Sequence, residues 1–145
     1  MHAQEGTRRY AAAQVTMVDR EQLLLLVFEG GLKFLRLTRE ALAAGDLVRF
    51  GEHLARAQAI IAELLGTLDY QAGGTIAADL GRLYDFMLFH LTEANAQRSL
   101  PHVDAVLGVF GTIAEAYRSI ASARPNMDGR ATVGASTLGA GPVRA

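Results

Sequence analysis

Residues 68–87 read LDYQAGGTIAADLGRLYDFM, a stretch in which one run of helical apolar spacing ends and another begins. Gly73 and Gly74 interrupt the spacing between the two runs. Glycine adopts a positive φ at no steric cost, and helices often end at such a residue. The stretch therefore predicts a helix that extends to about Leu68, a break at the glycine pair, and a new helix from about Thr75.

The same spacing predicts a first helix from Asp19 to Leu42. Asp19 can act as its N-cap, because Gln22 follows at the spacing of a capping box. Ala44-Gly45-Asp46 then reads as a stop followed by a new cap. The second helix is predicted from about Leu47.

The third and fourth helices are predicted from about Thr75 to Gln97 and from Ser99 to the residue before Pro125. Ser99 can cap the fourth helix, and Pro101 suits its first turn. No segment alternates as a strand does. Long helices with short connections favour an all-α, antiparallel up-down four-helix bundle.

Around this bundle the sequence predicts two less regular segments. Residues 1–18 form a short, partly flexible lead-in segment or helix, with helix expected near Tyr10 to Gln14, and residues 19–124 form the bundle. Residues 125–145 are mostly Gly, Ala, Ser, Thr, Val and Pro with no period, which predicts a disordered tail.

Composition limits the classes of function. The chain has 145 residues, half of them hydrophobic and 20% charged, which predicts one globular domain. A net charge of −1 gives no basic excess for nucleic acid. The absence of cysteine excludes disulfides and thiol catalysis. No signal peptide is recognisable, and the longest apolar run, 23–28, is too short to insert in a membrane. A cytosolic protein fits these features.

No pattern typical of catalysis or of cofactor binding is present. No glutamate is followed three residues later by histidine, as a di-iron bundle would require. His90 and Glu93 form one reversed pair, which is typical of a surface contact. The glycine pairs belong to no phosphate-binding loop. We therefore expect neither an enzyme nor a metal or cofactor site.

The helices carry more apolar width than one core requires. A helix that faces a single core needs an apolar arc of roughly 100°, and the first and fourth helices exceed it. On the third helix, Leu83 and Met87 are predicted to face the core, with Tyr84 and Leu88 on its flank. This extra apolar width has two explanations. It is covered by the lead-in, by a fifth helix or by a dimer partner, or it forms a groove that binds a partner segment.

Two motifs of the opening stretch, LD-x-x-x-GG-x-IA and LYD-[FY]-M, resemble the signature of the flagellar secretion chaperone FliS family. That family has a tyrosine near its N-terminus and a valine five residues later, and Tyr10 and Val15 match them. Glu93-Ala94-Asn95 follows the LYD-[FY]-M motif at the spacing found in the family. Residues 23–35 and 56–64 are similar to its LLLxLYDGALRFL and KAQxIIxEL segments. The chain departs from the pattern at residues 17–20, where the family commonly has T-A-S-P.

The resemblance implies a cytosolic export chaperone that binds the disordered C-terminal segment of flagellin. Such a protein prevents premature polymerisation and presents flagellin to the export gate without any reaction. Together with the wide apolar arcs, it predicts the following partner-binding residues: Tyr10, Leu26, Phe34, Leu37, Tyr84, Leu88, Val109, Ala116 and Ile120. A self-associating bundle and a small-ligand or metal-binding four-helix protein stay open as alternatives.

Overall fold

The computed structural model describes the backbone of residues 2–123, together with the side chains of Arg8 and of residues 20–123. Over this range the chain forms four α-helices and no strand, which confirms the all-α class. The helices are α1 (His2–Ala43), α2 (Leu47–Gly66), α3 (Tyr70–Gln97) and α4 (Leu100–Ala123).

α1 and α2 pack against each other and are antiparallel, as their contacting residues show. Towards α2, Gly30 lies near Ile60, and the Phe34 ring lies 6.2 Å from the ring of His53. These pairs are antiparallel, because the α2 number falls as the α1 number rises.

The contacts of α4 complete the arrangement. The ring of Phe28 lies 5.6 Å from that of Phe110, and Arg39 pairs with Asp104, so α1 and α4 are also antiparallel. α3 packs against α2, and its His90 faces His102 of α4. The predicted antiparallel four-helix bundle is confirmed.

The core lies between the helices and is almost entirely apolar. Its one buried polar side chain among the described residues is Thr38, whose hydroxyl donates a 2.6 Å hydrogen bond to the carbonyl oxygen of Phe34. The largest fully buried apolar side chains are Phe50, Phe110, Leu35, Ile61, Met87, Leu91, Val103 and Val106.

The predicted start of the first helix at Asp19 is wrong, because the helical backbone already begins at His2. Residues 3–18 contain no proline and a single glycine, and alanine, glutamine, glutamate and arginine among them favour helix. A capping residue is compatible with a helix interior when nothing before it breaks the helix. The backbone of residues 2–18 is therefore helical and continuous with the rest of α1, and the partial flexibility of this segment stays a prediction.

The prediction for residues 68–87 is partly wrong. α2 ends at Gly66, and Asp69 caps α3 by accepting hydrogen bonds from the backbone N–H groups of Gln71 and Ala72, at 3.1 and 3.0 Å. Gly74 has the expected positive φ, 53°, and its non-helical backbone forms a kink that separates a short first segment of α3 from the longer helix after it, so the predicted break at the glycine pair is confirmed. The carboxylate of Asp69 satisfies N–H groups of a new first turn, and this places the helix start ahead of the glycines.

Two other caps are confirmed. Asp46 accepts a 3.1 Å hydrogen bond from the backbone N–H of Arg49 at the start of α2. Ser99 accepts a 3.4 Å hydrogen bond from the backbone N–H of His102 at the start of α4. Gly45, between α1 and α2, has a φ of 76° that suits glycine.

The core face of α3 differs from the predicted one. Tyr84 is 2% exposed whereas Leu83 is 38% exposed, so the assignment of these two residues to core and flank is reversed. The buried residues are Ala77, Gly81, Tyr84, Met87, Leu91 and Ala94. Three of these six are glycine or alanine, which a search for bulky apolar residues passes over.

The chain divides into two compact units, residues 1–115 and residues 116–145. The first unit contains α1, α2, α3 and the larger part of α4. Of the second unit, the structure describes residues 116–123, the last two turns of α4. The predicted tail at 125–145 lies outside the described residues, so its disorder stays a prediction.

Candidate partner-binding surface

The predicted binding residues of α1 with described side chains, Leu26, Phe34 and Leu37, differ in their exposure to solvent. Leu26 is 62% exposed, and Leu23, one turn before it, is 61% exposed. Phe34 and Leu37 are half-buried. Arg56 covers part of Phe34, with its guanidinium 5.4 Å from the ring centroid. Among the described side chains of α1, Leu23 and Leu26 therefore form the open apolar surface.

The predicted residues of α3 and α4 do not share one groove. Tyr84 is buried, while Leu88 and Val109 are half-buried. Val109 follows His102 by seven residues, so it lies on the same face of α4, which is directed at His90. Leu88 precedes His90 by two residues and points about 200° away from it. Leu88 and Val109 thus lie on different sides of the bundle.

In the second unit, Ala116 is exposed and Ile120 is 65% exposed. Tyr117 is half-buried, and burial raises the pKa of its phenol. The side chain of Tyr10 lies outside the described residues. The roles of all nine residues in partner binding stay predictions.

Sequence reasoning missed an apolar surface on α3 that we name the α3 edge, formed by Leu83, Phe86 and Phe89. These side chains are 38%, 38% and 61% exposed. The ring centroid of His90 lies 3.9 Å from that of Phe86 and 5.5 Å from that of Phe89. The sequence does contain this pattern, because positions 83, 86 and 90 are spaced as residues on one face of a helix. The sequence analysis, however, assigned Leu83 to the core.

Further exposed apolar side chains lie near helix starts. Val48 is 73% exposed in the first turn of α2, and Ile76 is 72% exposed just after the kink of α3. Tyr70 is 55% exposed, although its hydroxyl lies against Gly81, where an added Cβ would be 2.9 Å from the oxygen. The bundle thus exposes apolar side chains on several helices.

In the described part of the chain, no group of three or more histidine, aspartate or glutamate side chains is arranged to hold a metal ion. None of the described helices is long and apolar enough to cross a membrane.

Large exposed apolar residues on a stable helical scaffold are typical of proteins that bind other proteins. The fold and this surface thus define a helical-bundle interaction protein. Residues 3–124 match the family model described as flagellar protein FliS. The chain belongs to the FliS family.

Curated relatives agree with this match over most of their length. The chain is 34% identical over 125 residues to the flagellar secretion chaperone FliS of Salmonella typhimurium, covering 83% of this chain and 93% of that protein. It is 32% identical over 110 residues to the flagellar secretion chaperone FliSB of Pseudomonas aeruginosa, covering 73% and 87%. It is 31% identical over 130 residues to the Bacillus subtilis FliS, covering 89% and 96%.

Proposed function

We propose that this protein is a cytosolic flagellar secretion chaperone that binds the C-terminal segment of flagellin. Binding is stoichiometric and non-covalent, and it involves no catalysis. The bound segment is kept from premature polymerisation, and the loaded chaperone delivers it to the flagellar export gate.

The observation that carries the proposal is the family match over residues 3–124, which spans all four helices. The exposed apolar side chains support it, because a disordered segment that folds on binding needs apolar surface to offset its loss of conformational entropy. Leu23, Leu26 and Phe89, each more than 60% exposed, are the first candidates for such contacts.

Self-association is the second candidate, because a second copy would cover the same apolar side chains. The two are separated by measuring the mass of the free protein and of its mixture with flagellin. A dimer that persists and does not bind flagellin would favour self-association. A one-to-one complex would favour the chaperone.

The direct test is calorimetric titration of the full chain with the C-terminal segment of flagellin from the same organism. We expect saturable binding with a negative heat-capacity change, since apolar surface is buried. A peptide of the same composition in scrambled order is the control. Absence of binding at micromolar concentrations would refute the proposal.

Matched variants then locate the contact surface. Leu26→Ser and Phe89→Ser alter exposed side chains on α1 and on the α3 edge, and Glu29→Ser alters an exposed polar position one turn after Leu26. The variant that loses affinity while its unfolding curve stays unchanged identifies the face that binds. Glu29→Ser should keep the affinity of the original chain.

We also propose that the N-terminal part of α1 covers part of the binding surface when flagellin is not bound. A cover that competes with a ligand lowers its apparent affinity by the fraction of time the site is closed. Deleting the residues before Val18 should therefore tighten flagellin binding or speed association. Loss of binding by a folded truncated protein would instead identify this segment as a contact.

A further inference from the structure

Two histidines on different helices face each other beside the α3 edge. The ring centroids of His90 on α3 and His102 on α4 are 5.4 Å apart, with the ring planes inclined at 39°. Both side chains are half-buried. Neither residue belongs to the surface predicted for flagellin.

The His90 ring is held in one tautomer. Its Nδ1 lies 3.0 Å from the carbonyl oxygen of Phe86. A carbonyl oxygen only accepts, so Nδ1 carries the proton and donates it. Nε2 then has a free lone pair. Histidines that bind metal ions almost always donate their other ring N–H to such an acceptor.

The His102 ring has an equivalent anchor. Its Nδ1 lies 2.6 Å from the hydroxyl oxygen of Ser99, the N-cap residue of α4. That oxygen can accept from Nδ1–H, which leaves the Nε2 of His102 free as well. The cap thus orients the second imidazole as the carbonyl of Phe86 orients the first.

The spacing of the rings suits a shared metal ion. A zinc–nitrogen bond of about 2.0–2.1 Å places the ion about 3.2 Å from each ring centroid, so two imidazoles at a tetrahedral angle have centroids roughly 5 Å apart. The observed separation is 5.4 Å. Phe86 and Phe89, whose rings lie beside His90, supply an apolar shell around the imidazoles.

We propose that His90 and His102 form a site for a divalent transition-metal ion of the zinc, nickel and copper class, bound through both Nε2 atoms. Neutral imidazole is a common ligand of these ions. In the described part of the chain no third histidine or carboxylate completes the set, so water occupies the other positions. A bound ion joins α3 to α4 close to the turn at Arg98 and Ser99.

The experiment uses the full chain, with Zn²⁺ followed by calorimetry and Ni²⁺ by NMR. Paramagnetic Ni²⁺ should broaden the imidazole signals of His90 and His102 together, before those of His53. His90→Gln or His102→Gln should each weaken Zn²⁺ binding by roughly tenfold or more, as loss of a group that holds the metal does. Zn²⁺ should also raise the unfolding temperature of the original chain more than that of either variant.

His53→Gln on α2 and His2→Gln near the N-terminus are the matched controls, and both should keep the Zn²⁺ affinity of the original chain. The proposal is overturned if Ni²⁺ broadens His90 equally in the presence and absence of the His102 imidazole. It is also overturned if His2→Gln alone removes Zn²⁺ binding. The order of broadening in the unaltered chain is a test that needs no variant, and the proposal is also overturned if Ni²⁺ broadens the signals of His53 or His2 before those of His90 and His102. Loss of this site would leave the flagellin proposal unaffected.

Discussion

Gly31 of α1 lies directly beneath the ring of Phe110 of α4. A Cβ at Gly31 would be 2.7 Å from Cε1 of that ring and closer still to Cζ, with the Cγ2 atom of Ile60 at 3.3 Å. Gly31 is buried and Phe110 is fully buried. The glycine therefore allows an aromatic ring to pack against the backbone of α1. Gly31 is thus a position of close packing between α1 and α4.

Substitution at this position should be destabilising despite better helix propensity. Gly31→Ala gains about 1 kcal/mol of propensity but forces Phe110 to shift, and overpacking typically costs about 1–3 kcal/mol. We expect a net loss in the free energy of unfolding, measured by denaturant titration. Gly30→Ala is the control, because its added Cβ meets only the Cδ1 atom of Ile60, at an ordinary 3.7 Å. Stabilisation by both substitutions would contradict this account of the packing.

The reversed core face of α3 gives a second prediction. Met87→Ala should cost about 2–5 kcal/mol of stability, and Tyr84→Ala should cost a similar amount, because each leaves a cavity in the core. Leu83→Ala should lower the free energy of unfolding by only about 1 kcal/mol, since Leu83 remains 38% exposed in the folded state. Urea unfolding of the three variants checks the order. A larger loss for Leu83→Ala than for Tyr84→Ala would restore the face predicted from sequence.

The ion pair between α1 and α4 should contribute little to stability. Arg39 Nε lies 2.5 Å from Asp104 Oδ1, and both side chains are more than 40% exposed. Exposed pairs typically contribute about 0.2–1 kcal/mol, and salt screens them. A double-mutant cycle of Arg39→Gln and Asp104→Asn should give a coupling in this range that shrinks at high salt. A coupling that salt leaves unchanged would show that the pair is shielded from solvent.

Tyr117 should make the fold sensitive to alkaline pH. Burial raises its pKa above the ordinary value of 10.0. The folded state then holds the phenol proton at a pH where the unfolded chain releases it, so this contribution to stability is lost as pH rises above about 10. Tyr117→Phe should flatten this part of the stability profile, measured by urea unfolding at pH values on either side of 10. An unchanged profile in Tyr117→Phe would assign the sensitivity to another group.

Much of the architecture follows from local sequence. The apolar spacing within each segment predicted four helices, and the short polar cap residues Asp46 and Ser99 predicted where α2 and α4 begin. Family membership also followed from motifs that lie within single helices or their ends. These features depend on residues within a few positions of one another, so the sequence alone contains the relevant interactions.

The start of α1 was also a local question, but the competing signals were weighed wrongly. Asp19 has capping chemistry, yet nothing before it stops the helix from extending back to His2. The glycine pair was interpreted correctly as an interruption, since Gly74 has a positive φ and a non-helical backbone. The Asp69 cap adds a short helical segment before that interruption.

The sequence by itself determined the four helices, the caps Asp46 and Ser99, and the family. Only the tertiary structure decided which apolar side chains are buried. Tyr84 is buried and Leu83 is exposed because the buried face of α3 also carries Ala77, Gly81 and Met87, and Gly81 leaves room for the side chains of Tyr70 and Leu68. The proximity of Gly31 to Phe110, and of His90 to His102, likewise depends on residues that distant parts of the chain bring together. Periodicity measures the apolar character of one helix, whereas burial depends on the shape of the helices that pack against it.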